Sequence, residues 1–216
     1  MSAEIQLLAT TAASIGFLHT LAGPDHYLPF VMMSRARGWG LARTGLITAA
    51  CGLGHVLGSI ALGFAGVLLG TALIELELIE SVRGDLAAWG LLLFGAGYLA
   101  WGIHRGRHGH SHAHGHDHAC DRRRLTPWVL FVIFVLGPCE PLIPLLMYPA
   151  AQQSVSGLVL VSAVFGLVTV TTMLAAVALA SWGVRLLPVG KLERWSHALA
   201  GGAVEMCAGA ILFLGL

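Results

Sequence analysis

Two long stretches of this sequence carry almost no charge. Between Arg43 and Glu75 no residue bears a full charge at neutral pH. Between Arg124 and Arg185 only Glu140 does. A helix needs about 20 apolar residues to cross a bilayer, and both stretches are longer than that. Since 56% of the chain is hydrophobic and only 11% is charged, against about 25% in soluble domains, the sequence predicts an all-α membrane protein.

Apolar runs bounded by charged residues, glycine or proline divide the chain into six predicted transmembrane helices. Eleven of the twelve Lys and Arg residues follow the first, third or fifth helix, and Arg83 is the exception. Because cytoplasmic loops are enriched in Lys and Arg, we expect both termini outside a bacterial inner membrane. The six helices are expected near residues 5–33, 44–70, 86–103, 126–149, 155–182 and 197–216.

The sequence also contains an internal repeat. When it is slid against itself by 114 residues, Gly23-Pro24 aligns with Gly137-Pro138. Because proline removes a backbone donor and glycine tolerates unusual torsions, each pair is expected to interrupt a helix. The same register aligns Met33 with Met147, Gly52 with Gly166, Val56 with Val170, Ala61 with Ala175, and Gly95 with Gly209.

Each half holds three predicted helices, so the second half must cross the membrane in the opposite sense. This is the inverted-repeat plan of many secondary transporters, whose substrate sites lie at interrupted helices near the midplane. We therefore expect two inverted three-helix repeats with Gly-Pro breaks in the first and fourth helices. The repeats are residues 1–103 and 125–216, and residues 104–124 form a cytoplasmic loop between them.

The first break places two imidazoles and a carboxylate inside an apolar span. His19, Asp25 and His26 lie within eight residues. Ionisable groups inside a membrane are costly and are functional by default. Imidazole suits nickel, cobalt, copper and zinc, and a carboxylate neutralises part of the charge of a dication. The alternative is that Asp25 caps the second half-helix and the histidines bond to neighbouring helices.

His55 lies in the second predicted helix on a stripe of small residues. Gly52, Ser59 and Gly63 recur around it at three- and four-residue steps, which lets another helix approach closely. We therefore expect His55 to face the bundle and to join the metal ligands of the first break. The alternative is a buried histidine that bonds to a backbone carbonyl.

The second half offers a thiol and two carboxylates as further ligands. Cys139 and Glu140 occupy the positions of Asp25 and His26 in the 114-residue register. Glu205 shares one face of the sixth predicted helix with two glycines, so it is expected to point into the bundle. For Glu140 the alternative is a protonated carboxyl bonded to freed backbone. Glu205 could instead accept a transported proton or form a structural hydrogen bond.

The predicted cytoplasmic loop is rich in histidine. Seven histidines occur in fifteen residues, a composition that binds borderline divalent metals weakly and at many positions. The alternative is a solvated linker without a ligand. The seven are His104, His108, His110, His112, His114, His116 and His118.

The first two helices resemble the nickel/cobalt permeases of the NicO and UreH type. The resemblance rests on Gly16-Phe-Leu-His19, on Gly-Pro-Asp25-His26 and on Leu-Gly-His55. It implies transport of Ni²⁺ or Co²⁺, with Zn²⁺ and Fe²⁺ as alternatives, and a His-rich loop is common in these families. The metal would be the substrate, and no tightly bound cofactor is expected.

The second break resembles a different family. Gly137-Pro138-Cys139-Glu140-Pro141 is similar to the Pro-Cys-x-x-Pro region of CcdA-like thiol-disulfide electron carriers. That family pairs one cysteine from each half, whereas Asp25 stands at the first-half position here, so dithiol exchange lacks its second sulfur. Sulfite exporters are a third alternative, although an anion path favours basic groups over Asp25, Glu140 and Glu205.

Several other classes are excluded by composition and motif. A net charge of +1 argues against a nucleic-acid partner, which requires a concentrated basic surface. The sequence has no catalytic triad, phosphate loop or nucleotide fingerprint, so an enzyme is not expected. The predicted partners are the metal ion and the lipid bilayer, and the residues leave open whether the chain forms a homo-oligomer.

Overall fold

The computed structural model describes residues 3–70, 73–107, 119–137, 139, 141–152, 154–186 and 194–214. In these ranges the secondary structure is entirely helical, as the composition predicts. The elements are α1 (Ala3–Ala22), a 3₁₀ turn (Pro24–His26), α2 (Leu28–Arg37), α3 (Leu41–Leu69), α4 (Leu73–Arg107), α5 (Ala119–Leu136), α6 (Leu142–Ala151), α7 (Val155–Leu186) and α8 (Ser196–Leu214).

Five of these helices, α1, α3, α4, α7 and α8, are long and apolar enough to span a membrane. Large apolar side chains cover their outer faces, and Leu93 and Leu167, for example, are 70% and 71% exposed. In water such a surface would be unfavourable, whereas acyl chains solvate it well. Length, composition and surface are those of an integral membrane protein.

The fourth predicted helix is present as two shorter ones. The apolar helices Thr126–Leu136 and Leu142–Ala151 flank the second Gly-Pro break, and neither reaches the length of a full span. The first predicted helix is likewise divided, into α1 and α2, by the turn at Pro24. In both places the break lies where the glycine-proline pairs predicted it, because these residues cannot continue the backbone ladder of the preceding helix.

Helix α4 begins 13 residues earlier than the sequence predicted, at Leu73 instead of residue 86. Its first turns contain the charged residues that were assigned to a loop. Glu80 is nevertheless only 1% exposed, and its Oε1 accepts a hydrogen bond of 2.7 Å from Nη1 of Arg83. Nη2 of Arg83 donates to the carbonyl oxygen of Val135 at 2.9 Å. The ion pair sets the two opposite charges against each other inside the bundle, so they do not require a loop in water.

Helices α4 and α8 pack closely against each other in antiparallel directions. A Cβ atom added to Gly102 would lie 2.3 Å from the backbone nitrogen of Ala198, and one on Gly201 would lie 2.3 Å from that of Leu99. Backbone contact this close is possible only where both helices present glycine. Glycine at these positions therefore fixes the separation of α4 from α8.

Helices α3 and α7 cross in the middle of the bundle. A Cβ on Gly52 would lie 3.4 Å from Cγ2 of Val170, and a Cβ on Gly166 would lie 2.9 Å from Cγ1 of Val56. Helix α1 packs on α7 on one side of this crossing, and α5 packs on α3 on the other. The two broken helices are thereby brought to the centre of the protein, where their breaks face each other.

Candidate metal centre

His26 lies at the end of the 3₁₀ turn in the first break and is 3% exposed. Its Nδ1 is 3.1 Å from the carbonyl oxygen of Gly23 and 3.1 Å from Oδ1 of Asp25. Because both neighbours are acceptors, Nδ1 carries the proton and donates it. The Nε2 atom is buried and has no hydrogen-bond partner among the described residues, so its lone pair is available to a ligand.

The turn itself depends on Gly23. A Cβ at this position would lie 2.6 Å from Nδ1 of His26 and 2.7 Å from Oδ1 of Asp25. Any larger residue would therefore displace the Asp25–His26 pair. Pro24 follows at the first position of the turn, where its missing N–H costs nothing.

His55 reaches the same place from the middle of α3 and is also 3% exposed. Its Nδ1 donates to the carbonyl oxygen of Phe134, near the end of α5, at 3.2 Å. Its Nε2, like that of His26, is buried without a hydrogen-bond partner in the part of the chain that is described. The sequence prediction that His55 faces the bundle is confirmed by this burial.

His19, on the last turn of α1, completes a cluster of three imidazoles. One nitrogen from each of His19, His26 and His55 lies within 4.8 Å of the others. The ring centroid of His26 lies 4.7 Å from that of His19 and 5.2 Å from that of His55. Metal–nitrogen bonds are about 2.0–2.1 Å long, so two nitrogens on a tetrahedral ion are about 3.4 Å apart. Side-chain rotations that shorten the nitrogen–nitrogen distances from at most 4.8 Å to about 3.4 Å would close the cluster on an ion.

Asp25 is the acidic member of the site. Its side chain is 30% exposed, in contrast to the buried ring of His26 with which it pairs. A carboxylate that accepts a hydrogen bond from one imidazole nitrogen orients the ring and makes the other nitrogen a better metal ligand. Asp25 therefore supplies negative charge beside the cluster and fixes the orientation of His26.

A cavity of about 700 Å³ opens beside the three histidines. All three rings and Asp25 line it, together with residues of α4, α5 and the end of α8. Two polar residues of α4, Ser81 and Asp85, belong to the same wall and are exposed. The cavity thus connects the histidine cluster to an exposed carboxylate at its rim.

The second break contributes a thiol. Cys139 is fully buried, and its Sγ lies 4.0 Å from Nε2 of His19, so the two breaks meet through this contact. Cys139, Cys51 and Cys207 are free buried cysteines. Cys139 and Cys51 belong to different hydrophobic clusters. Cys139 therefore adjoins His19, but it is not one of the three residues whose nitrogen atoms lie within 4.8 Å of one another.

Two of the remaining predicted ligands, Glu205 and His104, lie away from the cluster. Glu205, on α8, packs against Gly95 of α4 and is not among the described residues that line the cavity. His104 is exposed near the end of α4. Glu140 and six loop histidines lie outside the described residues. Those six are His108, His110, His112, His114, His116 and His118.

Sequence reasoning missed Asp85 and Arg83 as parts of this region. Both were counted only as loop charges, since a charged segment beside an apolar run usually lies in water. The spacing of Glu80 and Arg83, three residues apart, is that of a helical ion pair and was the available indication that the helix continues. The carbonyl that Arg83 contacts is 52 residues away, so sequence alone does not reveal it.

Comparison of the chain with protein-family models, with curated proteins and with solved structures finds no match. In its described residues the protein is an all-helical membrane protein in which three histidines, two of them buried, meet at the first helix break.

Proposed function

We propose that this protein transports a divalent transition metal ion, Ni²⁺ or Co²⁺ in the first place, through the cluster formed by His19, His26 and His55. The observation that carries the proposal is the pair of buried Nε2 atoms on His26 and His55. Burying a polar atom without a partner costs free energy, and a metal ion is a partner that accepts nitrogen lone pairs. Each Nδ1 already bonds to the protein, which leaves Nε2 for the ion.

The donor set favours a borderline metal. Neutral imidazoles with a neighbouring carboxylate suit nickel, cobalt and zinc, whereas Mg²⁺ and Ca²⁺ require mostly oxygen ligands. The buried thiol of Cys139, whose Sγ lies 4.0 Å from Nε2 of His19, is a soft group beside this donor set and also favours a borderline metal. The resemblance of the first break to nickel/cobalt permeases supports Ni²⁺ and Co²⁺ over Zn²⁺ and Fe²⁺.

The position of the cluster favours transport over a structural role. A structural site is closed by four protein ligands, but this cluster lies on the wall of a cavity with two carboxylates, Asp25 and Asp85. Irregular backbone at membrane depth occurs where it lines a cavity or a substrate path. An ion attracted by Asp85 would reach the histidines through the cavity without crossing lipid.

The architecture that we propose is the two inverted repeats. Its support is a reciprocal contact: Gly52 meets Val170, and Gly166 meets Val56, which are the same pair exchanged by the 114-residue register. The packing of α1 on α7 and of α5 on α3 is exchanged in the same way. Alternating access would then consist of one repeat moving against the other around the central breaks.

The proposed orientation places the arginine-rich end of the bundle in the cytoplasm. Arg37, Arg43 and Arg105 surround one pocket, so helix ends that are distant in sequence contribute basic residues to one end of the bundle. Cytoplasmic ends of membrane helices are enriched in such residues. In a bacterial inner membrane both termini would then be outside.

Transport by the cluster can be tested in liposomes loaded with a metal-sensitive dye. His104 and the six loop histidines should first be replaced by asparagine, because metal binding by these side chains would mask binding by the cluster. In this background we expect uptake of Ni²⁺ and Co²⁺ but not of Mg²⁺, and His26→Ala should reduce uptake by more than about tenfold.

Cys207→Ser is the matched control, since Cys207 is a buried side chain of α8 that lies outside the described lining of the cavity. It should transport like the background protein. Unchanged metal uptake in a correctly folded His26→Ala protein would contradict the proposal. Movement of sulfite in place of cations would favour the anion exporter.

A further inference from the structure

The arginine-rich end of the bundle contains a second pocket, remote from the histidine cluster. It has a volume of about 500 Å³ and lies where the ends of α2 and α4 meet the beginnings of α3 and α8. Three arginines, one histidine and two tryptophans line it. They are Arg37, Arg43, Arg105, His197, Trp39 and Trp101.

Aromatic rings hold the arginines in place. The guanidinium of Arg105 lies 5.4 Å from the ring centroid of Trp101, and that of Arg43 lies 5.5 Å from the ring centroid of Trp39. Arg37 lies over Tyr98 and donates to Oγ1 of Thr126 at 2.6 Å. A cation–π contact orients a guanidinium without neutralising its charge, so the hydrogen-bond donors stay available.

The described residues that line the pocket include no carboxylate. Neither Arg43 nor Arg105 forms an ion pair with any carboxylate within the described ranges. Helix α3 also begins here, with Gly40 as its N-cap and no side-chain cap, so the positive end of the helix dipole adds to the charge. The pocket is therefore strongly positive and built to receive an anion.

We propose that this pocket binds a phosphate group, carried by an anionic phospholipid or by a soluble phosphate ester. The planar guanidinium fork matches the geometry of phosphate oxygens, and several forks around one pocket favour a group with more than one charged oxygen. The neighbouring tryptophans are typical of the depth at which lipid headgroups lie. This site is separate from the metal centre and would remain if the transport proposal failed.

The test uses the full chain purified in detergent. It is titrated separately with dioleoyl phosphatidic acid, with dioleoylglycerol and with glycerol 3-phosphate. Dioleoylglycerol has the same acyl chains as the phosphatidic acid but no phosphate. Lipid retention is followed by native mass spectrometry and binding by the shift in melting temperature. We expect phosphatidic acid to bind and dioleoylglycerol not to. Replacing both Arg43 and Arg105 with glutamine should lower the affinity for the phosphate ligand about thirtyfold.

Arg107→Gln is the control, because Arg107 is exposed on the same helix but does not line the pocket. It should bind like the parent. Binding of glycerol 3-phosphate equal to that of phosphatidic acid supports the soluble source, and binding of phosphatidic acid alone supports the lipid. Equal binding by the parent and the double variant, or equal retention of dioleoylglycerol and phosphatidic acid by the parent, would overturn the proposal.

Discussion

Nδ1 of His55 lies 3.2 Å from the carbonyl oxygen of Phe134, and this contact joins the middle of α3 to the last turn of α5. It satisfies a backbone acceptor beside the second break and at the same time directs Nε2 of His55 toward the first break. His26 uses its Nδ1 in the same way, on Gly23 and Asp25. Each ring therefore has one nitrogen that fixes its orientation and one that faces its neighbours.

Replacing Asp25 with asparagine tests how this orientation supports metal binding. The amide has nearly the same shape but no charge, so His26 would lose its strong acceptor and the site would lose a neutralising group. We expect the affinity for Ni²⁺ to fall about 10- to 100-fold, the usual effect of removing the partner of a metal-binding histidine. The affinity is measured by equilibrium binding of Ni²⁺ to the purified protein in which the loop histidines have been replaced.

The exposed Glu77→Gln variant controls for the general loss of one negative charge, because Glu77 lies on α4 outside the described cavity wall. It should bind Ni²⁺ like the parent. If Asp25→Asn also binds Ni²⁺ with parental affinity, the charge of Asp25 does not contribute to metal binding.

Cys139→Ser separates a metal site from a thiol carrier. A serine hydroxyl is a poorer ligand than a thiol, but three imidazoles would remain, so we expect reduced metal uptake that is still measurable. A thiol-disulfide carrier could not work at all without this sulfur. The measurement is Ni²⁺ uptake into liposomes, with reduction of a disulfide substrate across the membrane as the parallel assay. Electron transfer by the parent that disappears in Cys139→Ser would favour the carrier.

Local chemistry made the breaks and the direction of His55 predictable from the sequence. Gly23 and Pro24 act on their own backbone, and the small residues around His55 mark the face on which another helix packs. Burial of Glu80 could not be predicted, because it depends on pairing with Arg83 and on the distant carbonyl of Val135. The same reason explains why the cavity wall at Asp85 was not foreseen.

Gly102→Ala tests the close packing of α4 on α8. The added methyl group would meet the backbone of Ala198 at 2.3 Å, and a backbone cannot rotate away as a side chain can. We expect a loss of about 1–3 kcal/mol in the free energy of unfolding, the range for overpacked cores. Reversible unfolding in mixed micelles is the measurement.

Gly97→Ala is the matched control on the same helix, since no described atom lies within 4 Å of its added Cβ. Alanine forms helices better than glycine, so this variant should gain up to about 1 kcal/mol. Equal effects of the two substitutions would show that α4 and α8 are not in contact as described.

The ion pair of Glu80 and Arg83 predicts an asymmetric effect of mutation. The carboxylate of Glu80 is 1% exposed, whereas the side chain of Arg83 is 18% exposed. Arg83→Met removes the cation that faces this carboxylate and also the donor to Val135, so we expect a loss of about 3–5 kcal/mol. Glu80→Leu should cost less, because the guanidinium keeps its bond to the carbonyl of Val135 and is less deeply buried than the carboxylate. The same unfolding assay measures both variants.

The double variant Glu80→Leu/Arg83→Met completes this cycle. Without either charge the carbonyl of Val135 still loses its donor, but the carboxylate no longer faces the bundle without its cation, so the double variant should be more stable than Arg83→Met alone. That result would show that the ion pair with Glu80 makes it favourable to bury Arg83 beside the second helix break. If the two single losses simply add, the charges do not interact, and the pair cannot explain why α4 begins before residue 86.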